Sequence, residues 1–296
     1  MKPASRMVVS GLDGGLLDPV TRDYDGARAA VAALARAGVP LVLCSSRTRR
    51  EVTLVWRVFG LGAPIVVENG AALLVPDGHL DGGVPGAEAS DGWQVLRLAP
   101  PREALRAALA EIAAAARVRP RLCSELTSAE RRERDALPAF FGIPPAPREH
   151  TEPFVLDDAE DAAALSRAAE ARGLRLARGQ GCFHLCGGAD KGLALRTLFA
   201  LYQREGRLPR TIGLGTWPID LPLLRTVHHP IVLPLRDGSI HPELAASLPR
   251  AERAWRGGAS GWSDAVVAAI TGRPLPRLEA SRPAGPRPGA ERLAAS

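Results

Sequence analysis

The first eighty residues alternate short apolar runs with longer stretches in which apolar residues recur every three or four positions. The apolar runs at 7–10, in PLVLC (40–44) and in PIVVENG (64–70) predict buried strands, and the stretches near 25–37 and 48–59 predict amphipathic helices. This order is typical of a parallel sheet with right-handed crossovers. In such sheets the functional groups lie at the carboxyl ends of the strands.

Residues 77–92 are rich in Gly, Asp and Pro, which indicates a boundary. The next section has a different order: predicted strands near 93–98 and 174–185 and in VRPRL and EPFVL, a short polar helix, and helices near 101–116 and 158–172. After Gly187 the first pattern returns, with a helix over 191–205, the strand TIGLG, a helix beginning near Ile219 and the strand PIVLP. The middle section is therefore predicted to be an insertion.

We predict an α/β protein with a Rossmann-like parallel sheet core, residues 1–82 and 187–272, and an inserted α+β cap, residues 83–186. Gly82 and Gly187 would act as hinges, since glycine takes up changes in backbone dihedral angles at low cost. Residues 273–296 contain many Pro and Arg and few large apolar side chains, which is typical of a disordered tail.

Composition and charge narrow the class of protein. With 46% hydrophobic residues, no long continuous apolar run and no signal-peptide plan, the chain is expected to be soluble and cytoplasmic. The four cysteines are too sparse for a secreted disulfide scaffold and are expected to be buried thiols. Of the net charge of +6, residues 273–296 contribute +3, from five Arg and two Glu. The other arginines are not interleaved with aromatic residues, so neither nucleic acid nor a membrane is expected as a partner.

Four strand ends of the core carry the residues that could do chemistry: SGLDGGLLD from Ser10, LCSSRT from Leu43, GGADKG from Gly187 and LGTWPIDLPLL from Leu214. On an extended strand residues i and i+2 point the same way. An acid at position 11 would therefore stand beside Asp13, one placed to attack and one to transfer a proton. Position 11 is a glycine.

The order and spacing of these segments resemble the four motifs of the haloacid dehalogenase (HAD) superfamily of phosphotransferases, in the subgroup with an α/β cap inserted between the second and third motifs. SSRTRREV, IVVENGAA, REHTEPF, FHLCGGADKG and SGWSDAV further resemble the mannosyl-3-phosphoglycerate phosphatases. The resemblance covers about residues 7–270. It implies Mg²⁺-dependent hydrolysis of a sugar phosphomonoester, mannosyl-3-phosphoglycerate to mannosylglycerate, with a small phosphorylated sugar or glycerate as ligand.

The resemblance also implies roles for the matching residues. The first-motif Asp would form an aspartyl phosphate, while Asp13 would protonate the leaving alcohol, activate water and present its carbonyl to Mg²⁺. Ser45 and Lys191 would contact the phosphoryl group, and Asp220 would bind Mg²⁺ through water. The candidates for binding the rest of the substrate are Ser46, Arg47, Arg148 and Glu149.

The sequence departs from the family pattern at decisive positions. Gly11 replaces the nucleophile, Gly15 a Thr or Ser, Thr216 a metal-binding Asp, and Ile219 an Asn. Mg²⁺ needs anionic oxygen ligands to offset its dehydration, and both direct carboxylate ligands are missing. We therefore expect impaired catalysis and weak Mg²⁺ binding.

Three functions remain open at this point: a phosphatase of reduced activity, a pseudoenzyme that binds a phosphosugar, and an interaction protein with a vestigial pocket. Asp13, Ser45 and Asp220 could equally be turn or helix caps. Lys191 is harder to explain in that way, because it is one of only two lysines in an Arg-rich chain and falls at the motif position.

Overall fold

The computed structural model describes residues 6–18, 24–133, 146–179 and 181–275. The strands are β1 (Arg6–Ser10), β2 (Leu41–Cys44), β3 (Ile65–Val67), β4 (Ala72–Pro76), β5 (Glu88–Ser90), β6 (Trp93–Arg97), β7 (Arg121–Leu122), β8 (Thr151–Val155), β9 (Arg175–Arg178), β10 (Phe183–Cys186), β11 (Arg210–Gly215), β12 (His229–Val232) and β13 (Glu252–Arg253). The helices are α1 (Asp25–Arg36), α2 (Arg49–Val58), α3 (Arg102–Ala116), α4 (Ser128–Glu133), α5 (Ala159–Glu170), α6 (Lys191–Arg204), α7 (Leu221–Thr226), α8 (Pro242–Ser247) and α9 (Gly258–Thr271).

The main sheet follows the order β13-β12-β11-β1-β2-β3-β4-β6-β5 within the described residues. The six strands from β13 to β3 are parallel, and the last three pair antiparallel. Strand β1 lies at the centre, between β2 and β11. The predicted α/β fold with a large parallel sheet is confirmed, and its central strand carries the first motif.

The sheet is covered by helices on both faces, because its strands are apolar on both sides. Alternate residues of β1 divide between the two cores: Val8 packs in one cluster with α1, α2 and α9, whereas Met7 and Val9 pack in another with α6 and α7. Two of these helices begin at residues whose side chains cap the helix N-terminus. Thr48 and Glu51 form a capping box at α2, and the Asp190 side chain accepts a hydrogen bond from Leu193 N at α6.

A second, antiparallel sheet follows the order β7-β8-β10-β9. Helices α3 and α5 pack on one of its faces through a separate apolar cluster that includes Leu109, Phe154 and Leu185. The predicted strand near 174–185 is in fact two strands, β9 and β10, which pair with each other as a hairpin. Gly179, Gly181 and Cys182 lie between them and are not part of either strand, so a single extended strand was the wrong interpretation.

The beginning of the inserted unit differs from the sequence prediction. The sequence predicts that residues from 83 onward belong to the cap, yet β6 pairs with β4, and β5 with β6, in the main sheet. The reason is packing, because Trp93 and Val95 are buried in the same cluster as Leu74. A Cβ on Gly187 would lie 2.5 Å from Pro100 Cδ, so the two chain crossings run side by side. The chain therefore leaves the main sheet after β6, near Pro100, and returns near Gly187, while hinge motion at Gly82 and Gly187 stays a prediction.

Two predictions concern other parts of the chain. Of the predicted tail, residues 273–296, the structure describes 273–275, and there Leu275 is buried in the core cluster of α1 and α9, so the packed part of the chain extends past 272; the rest lies outside the described residues. Among the residues that are described, none of the helices has the length and apolar character needed to cross a membrane.

Candidate active site

The four predicted strand ends meet at one edge of the main sheet. Gly11 follows β1 and donates its backbone N–H to Leu214 O of β11, while Ser45 follows β2 and donates its N–H to Val66 O of β3. Lys191 starts α6 and reaches this edge through its side chain. Parallel strands end on the same side of a sheet, which is why segments so distant in sequence become neighbours.

Lys191 and Asp220 form a buried ion pair at this edge. Lys191 Nζ lies 2.7 Å from Asp220 Oδ1, and each side chain is 3% exposed. The other carboxylate oxygen accepts hydrogen bonds from the backbone N–H groups of Thr216 and Trp217. Burial alone would lower the pKa of Lys191, but Asp220 and the nearby Cys44 and Asp13 outweigh it and raise that pKa. The pair is therefore a fixed, charged element of the site.

The space above Gly11 faces this pair. A Cβ added to Gly11 would lie 3.1 Å from Asp220 Oδ1, so a longer side chain there would project toward the Asp220 carboxylate. The φ angle of Gly11 is not in the left-handed region, so its backbone can accept other residues. Trp262 on α9 donates to Ser10 Oγ, which in turn donates to the Gly11 carbonyl. These hydrogen bonds hold the end of β1 in place, although Gly11 has no side chain to contribute.

Asp13 and Arg47 form a second ion pair on the other side of β1. Arg47 Nη2 lies 2.6 Å from Asp13 Oδ1, and Arg47 Nε lies 2.9 Å from Asp13 Oδ2. The guanidinium also bonds to Glu51 Oε1 at 3.1 Å. Burial opposes the charge on Arg47, but the two carboxylates raise its pKa. Arg47 thus positions Asp13, and its predicted contact with substrate stays a prediction.

Ser45, Ser46 and Arg148 meet above the end of β2. Ser45 is buried, and its Oγ accepts from Arg47 N at 3.1 Å. Arg148, which comes from the inserted unit, donates from Nη1 to Ser46 O at 2.9 Å. The inserted unit therefore touches the loop of the second motif through Arg148. Glu149 contributes its backbone to this junction, and its side chain is exposed.

Sequence reasoning missed Glu68, which joins the two units. This buried carboxylate accepts hydrogen bonds from Glu149 N, His150 N and Thr151 Oγ1, at 2.8, 3.1 and 2.7 Å. Glu68, Asn69 and Gly70 all have positive φ, and a Cβ on Gly70 would clash with Asp190 O. The ENG segment was the available signal, because a Gly preceded by an acid and an Asn favours this left-handed turn.

The face of the second sheet that lacks helices carries His184 and three of the thiols. The Cys182 Sγ atom lies 3.5 Å from His184 Nε2, and Cys186 packs against Ile219 of the core. All four cysteines are free and buried, as predicted. Burial, reinforced by the cations Arg148, Lys191 and Arg175, lowers the pKa of His184 well below its usual value. Its imidazole is therefore a neutral group at this boundary.

The residues present do not fit a Mg²⁺ ion of the family type. Gly11 offers no side-chain ligand and Thr216 only a neutral hydroxyl, whose buried Oγ1 has no hydrogen-bond partner among the described residues. Asp13 is engaged by Arg47, and Asp220 by Lys191 and two backbone N–H groups. Within the described part of the chain, no three His, Cys, Asp or Glu side chains are grouped so that they could hold a metal ion. The charged side chains of this edge are instead paired with one another, Asp13 with Arg47 and Asp220 with Lys191.

Comparison with known proteins gives relatives over most of the chain, although no family model matches. The chain is 28% identical over 262 residues to a glucosyl-3-phosphoglycerate/mannosyl-3-phosphoglycerate phosphatase of Persephonella marina, covering 88% of this chain and 95% of the relative. It is also 28% identical over 268 residues to the protein of the same name from Methanococcoides burtonii, with 88% and 96% covered.

Solved structures share the architecture at lower identity. A Thermoplasma acidophilum protein matches with a TM-score of 0.64 and 17% identity over 90% of this chain and 98% of its own. A HAD subclass IIB sugar phosphatase matches with a TM-score of 0.63 and 12% identity over 90% and 99%. The chain therefore has the haloacid dehalogenase fold with an inserted cap, and its curated homologues are named glucosyl-3-phosphoglycerate/mannosyl-3-phosphoglycerate phosphatases.

Proposed function

We propose that this protein is a mannosyl-3-phosphoglycerate phosphatase-like HAD protein with impaired hydrolysis. The observation that carries the proposal is position 11, where a correctly placed strand end presents no carboxylate to a phosphorus atom. The substrate class is inferred from the names of the relatives, which share 28% identity with this chain along nearly their whole length. A protein of this kind would bind a small phosphorylated sugar or glycerate.

The remaining groups support recognition of a phosphate monoester. Lys191 would lie beside a phosphoryl oxygen and offset its charge, and the Ser45 hydroxyl would donate a hydrogen bond to another. Asp13, held by hydrogen bonds from Nε and Nη2 of Arg47, is oriented to exchange a proton with the ester oxygen or with water. Without a nucleophile, the only route to hydrolysis is direct attack by water that Asp13 orients. Loss of a covalent nucleophile costs on the order of 10⁴ to 10⁶ in kcat in other hydrolases.

Mg²⁺ would supply charge neutralisation at the transferred phosphoryl group in the family reaction. In this chain the donors for it are replaced or already paired, so we assign no step to the ion. The alternative function, a pseudoenzyme that binds a phosphosugar without turnover, is favoured by the same observation, because Lys191 is retained where both direct carboxylate ligands are absent.

Phosphate release tests the proposal directly. The protein is incubated with mannosyl-3-phosphoglycerate or with an aryl phosphate at saturating Mg²⁺, and binding of the same sugar phosphate is measured by calorimetry. We expect saturable binding with turnover far below the usual enzymic rate of about 1 s⁻¹ or more. Turnover at that ordinary rate would overturn the impairment, and absence of binding would favour an interaction protein instead.

A further inference from the structure

A cavity of about 500 Å³ lies between the edge of the cap sheet and the core. Its cap side is formed by α5 and by strand β9, and its core side by residues 218–222 and the start of α8. The volume is within the usual range of small-molecule sites. The cavity is therefore large enough for a ligand that touches both units.

This cavity is separate from the edge that holds Lys191. Pro218, Ile219 and Leu221 line it, whereas Asp220 turns to the opposite side and pairs with Lys191. Ile219 also packs against Ala177 and Cys186, which closes the direct route between the two spaces. None of the candidate catalytic residues, Asp13, Ser45 and Lys191, is part of its lining.

The most informative residue of the lining is Arg175. Among the residues that the structure describes, its buried Nε atom has no hydrogen-bond partner, and its Nη2 makes a 3.4 Å contact with Ala189 O. A buried donor without an acceptor is costly, because it has lost water and gained nothing in return. A second arginine, Arg178, lines the same cavity, and Glu243 is the one acid among the lining residues. The cavity thus offers donors and positive charge in excess.

The rest of the lining is mostly apolar, with Leu176, Phe183 and Pro218 among its residues. A sugar ring presents C–H groups to such a surface, and its hydroxyl groups can donate to the Glu243 carboxylate. A carboxylate on the same molecule would match the planar fork of Arg175. We propose that this cavity binds a hydroxylated organic carboxylate of the sugar-acid class, with Arg175 as its anion-binding residue.

Binding in this cavity would bridge the cap and the core, since β9 belongs to the one and Ile219 to the other. The bound acid would therefore stabilise the closed arrangement of the two units by mass action. This inference does not depend on turnover at the edge that holds Lys191, because the two spaces share no catalytic residue.

The test compares D-glucuronate with glucose, which differ in the carboxylate, by calorimetry on the full chain. Glucuronate should bind saturably and glucose should not. Arg175→Met should weaken glucuronate binding by about 10- to 100-fold, as expected for loss of a hydrogen bond to a charged group. Arg172→Met is the matched control, because Arg172 is an exposed cap arginine that contacts Glu111 at 4.0 Å and does not line the cavity.

A second variant distinguishes the charge of the arginines from the volume of the cavity. Ala163→Trp keeps both arginines but fills the cavity from α5, and should also abolish binding, with circular dichroism and thermal melting used to verify the fold. Equal binding of glucose and glucuronate would overturn the proposal, as would the absence of saturable glucuronate binding. Competition by orthophosphate together with loss of binding in Lys191→Met would also overturn it, because the acid would then occupy the other space.

Discussion

The edge that holds Lys191 and the junction at Glu68 both contain buried carboxylates, but the partners of these carboxylates differ. At the junction, one buried carboxylate is satisfied by two backbone N–H groups, a threonine hydroxyl and the nearby Arg148. At the edge, two carboxylates, Asp13 and Asp220, are each paired with one cation, Arg47 or Lys191. In both regions, the carboxylates are paired with cations or hydrogen-bond donors of the protein itself.

The difference lies in what a change would cost. The junction is a structural device, in which loss of Glu68 leaves several buried donors without an acceptor. At the edge, residue 11 has no side chain. The fold tolerates this because the Asp220 carboxylate lies close to Gly11. Substitutions at Gly11 and at Glu68 can therefore probe the chemistry of the edge and the stability of the junction in turn.

The largest expected effect is restoration of chemistry at the edge. Gly11→Asp alone places a second carboxylate beside Asp220, at a Cβ distance of 3.1 Å, and the repulsion should limit its benefit. Thr216→Asp alone provides a ligand without a nucleophile. The double variant should raise Mg²⁺-dependent phosphate release by about 10³-fold or more, beyond the product of the single gains.

Phosphate release from mannosyl-3-phosphoglycerate by all four proteins at matched Mg²⁺ measures this effect. The side chain of residue 216 borders a cavity of about 230 Å³, so an Asp there has room. The matched control is Gly11→Asn/Thr216→Asp, which has the same shape at position 11 and no nucleophile. Equal activity of the control and the double variant would show that position 11 does not supply the attacking group.

Lys191→Met should have the next largest effect, on stability. It leaves the Asp220 charge buried and without its cation, which costs about 3–5 kcal/mol in the free energy of unfolding. Urea denaturation followed by circular dichroism gives the value. Lys191→Met/Asp220→Leu removes both charges and should recover most of the loss. If the double variant is no more stable than the single one, the pair is not the source of the effect.

Glu68→Gln tests the stability of the junction. The amide keeps one acceptor oxygen but turns an NH₂ group toward donors, so we expect a loss of about 2–3 kcal/mol. Glu88→Gln on the exposed strand β5 is the control and should change stability by less than about 1 kcal/mol. A Glu68→Gln protein as stable as this control would contradict the role of Glu68 as the buried acceptor of the junction.

The smallest expected effect depends on pH through His184. In the folded protein its pKa is well below the usual value, so the unfolded chain binds a proton there below about pH 6.5 while the folded chain does not. The contribution of neutral His184 to the free energy of unfolding is therefore fully present above about pH 6.5. It is lost as the pH falls, by about 1.4 kcal/mol per pH unit for one proton.

Urea midpoints of the natural protein and of His184→Gln at pH 7.5 and 5.5 isolate this contribution. The natural protein should lose about 1.4 kcal/mol more than the variant between the two values. His79 and His241, whose pKa values are also lowered by burial, are present in both proteins and cancel. Parallel losses in both proteins would place the pH sensitivity elsewhere.

The sequence by itself determined the α/β core, its alternation of strands and helices, and the four strand ends that meet at the edge. It could do so because each of these features is local: an apolar run, an amphipathic period, a glycine-rich turn or a cap such as Thr48 with Glu51. The match of Lys191 to its motif position was likewise visible, since lysine is rare in this chain.

Only the tertiary structure decided the rest. The assignment of β6 to the main sheet depends on burial of Trp93 against residues far along the chain, which no local pattern records. The partner of Arg47 proved to be Asp13, which is distant in sequence. Glu68 became the acceptor for residues 149–151 through a contact between two units. These features depend on long-range packing and charge pairing, and the energy of such contacts is set by distance in space rather than by position in the chain.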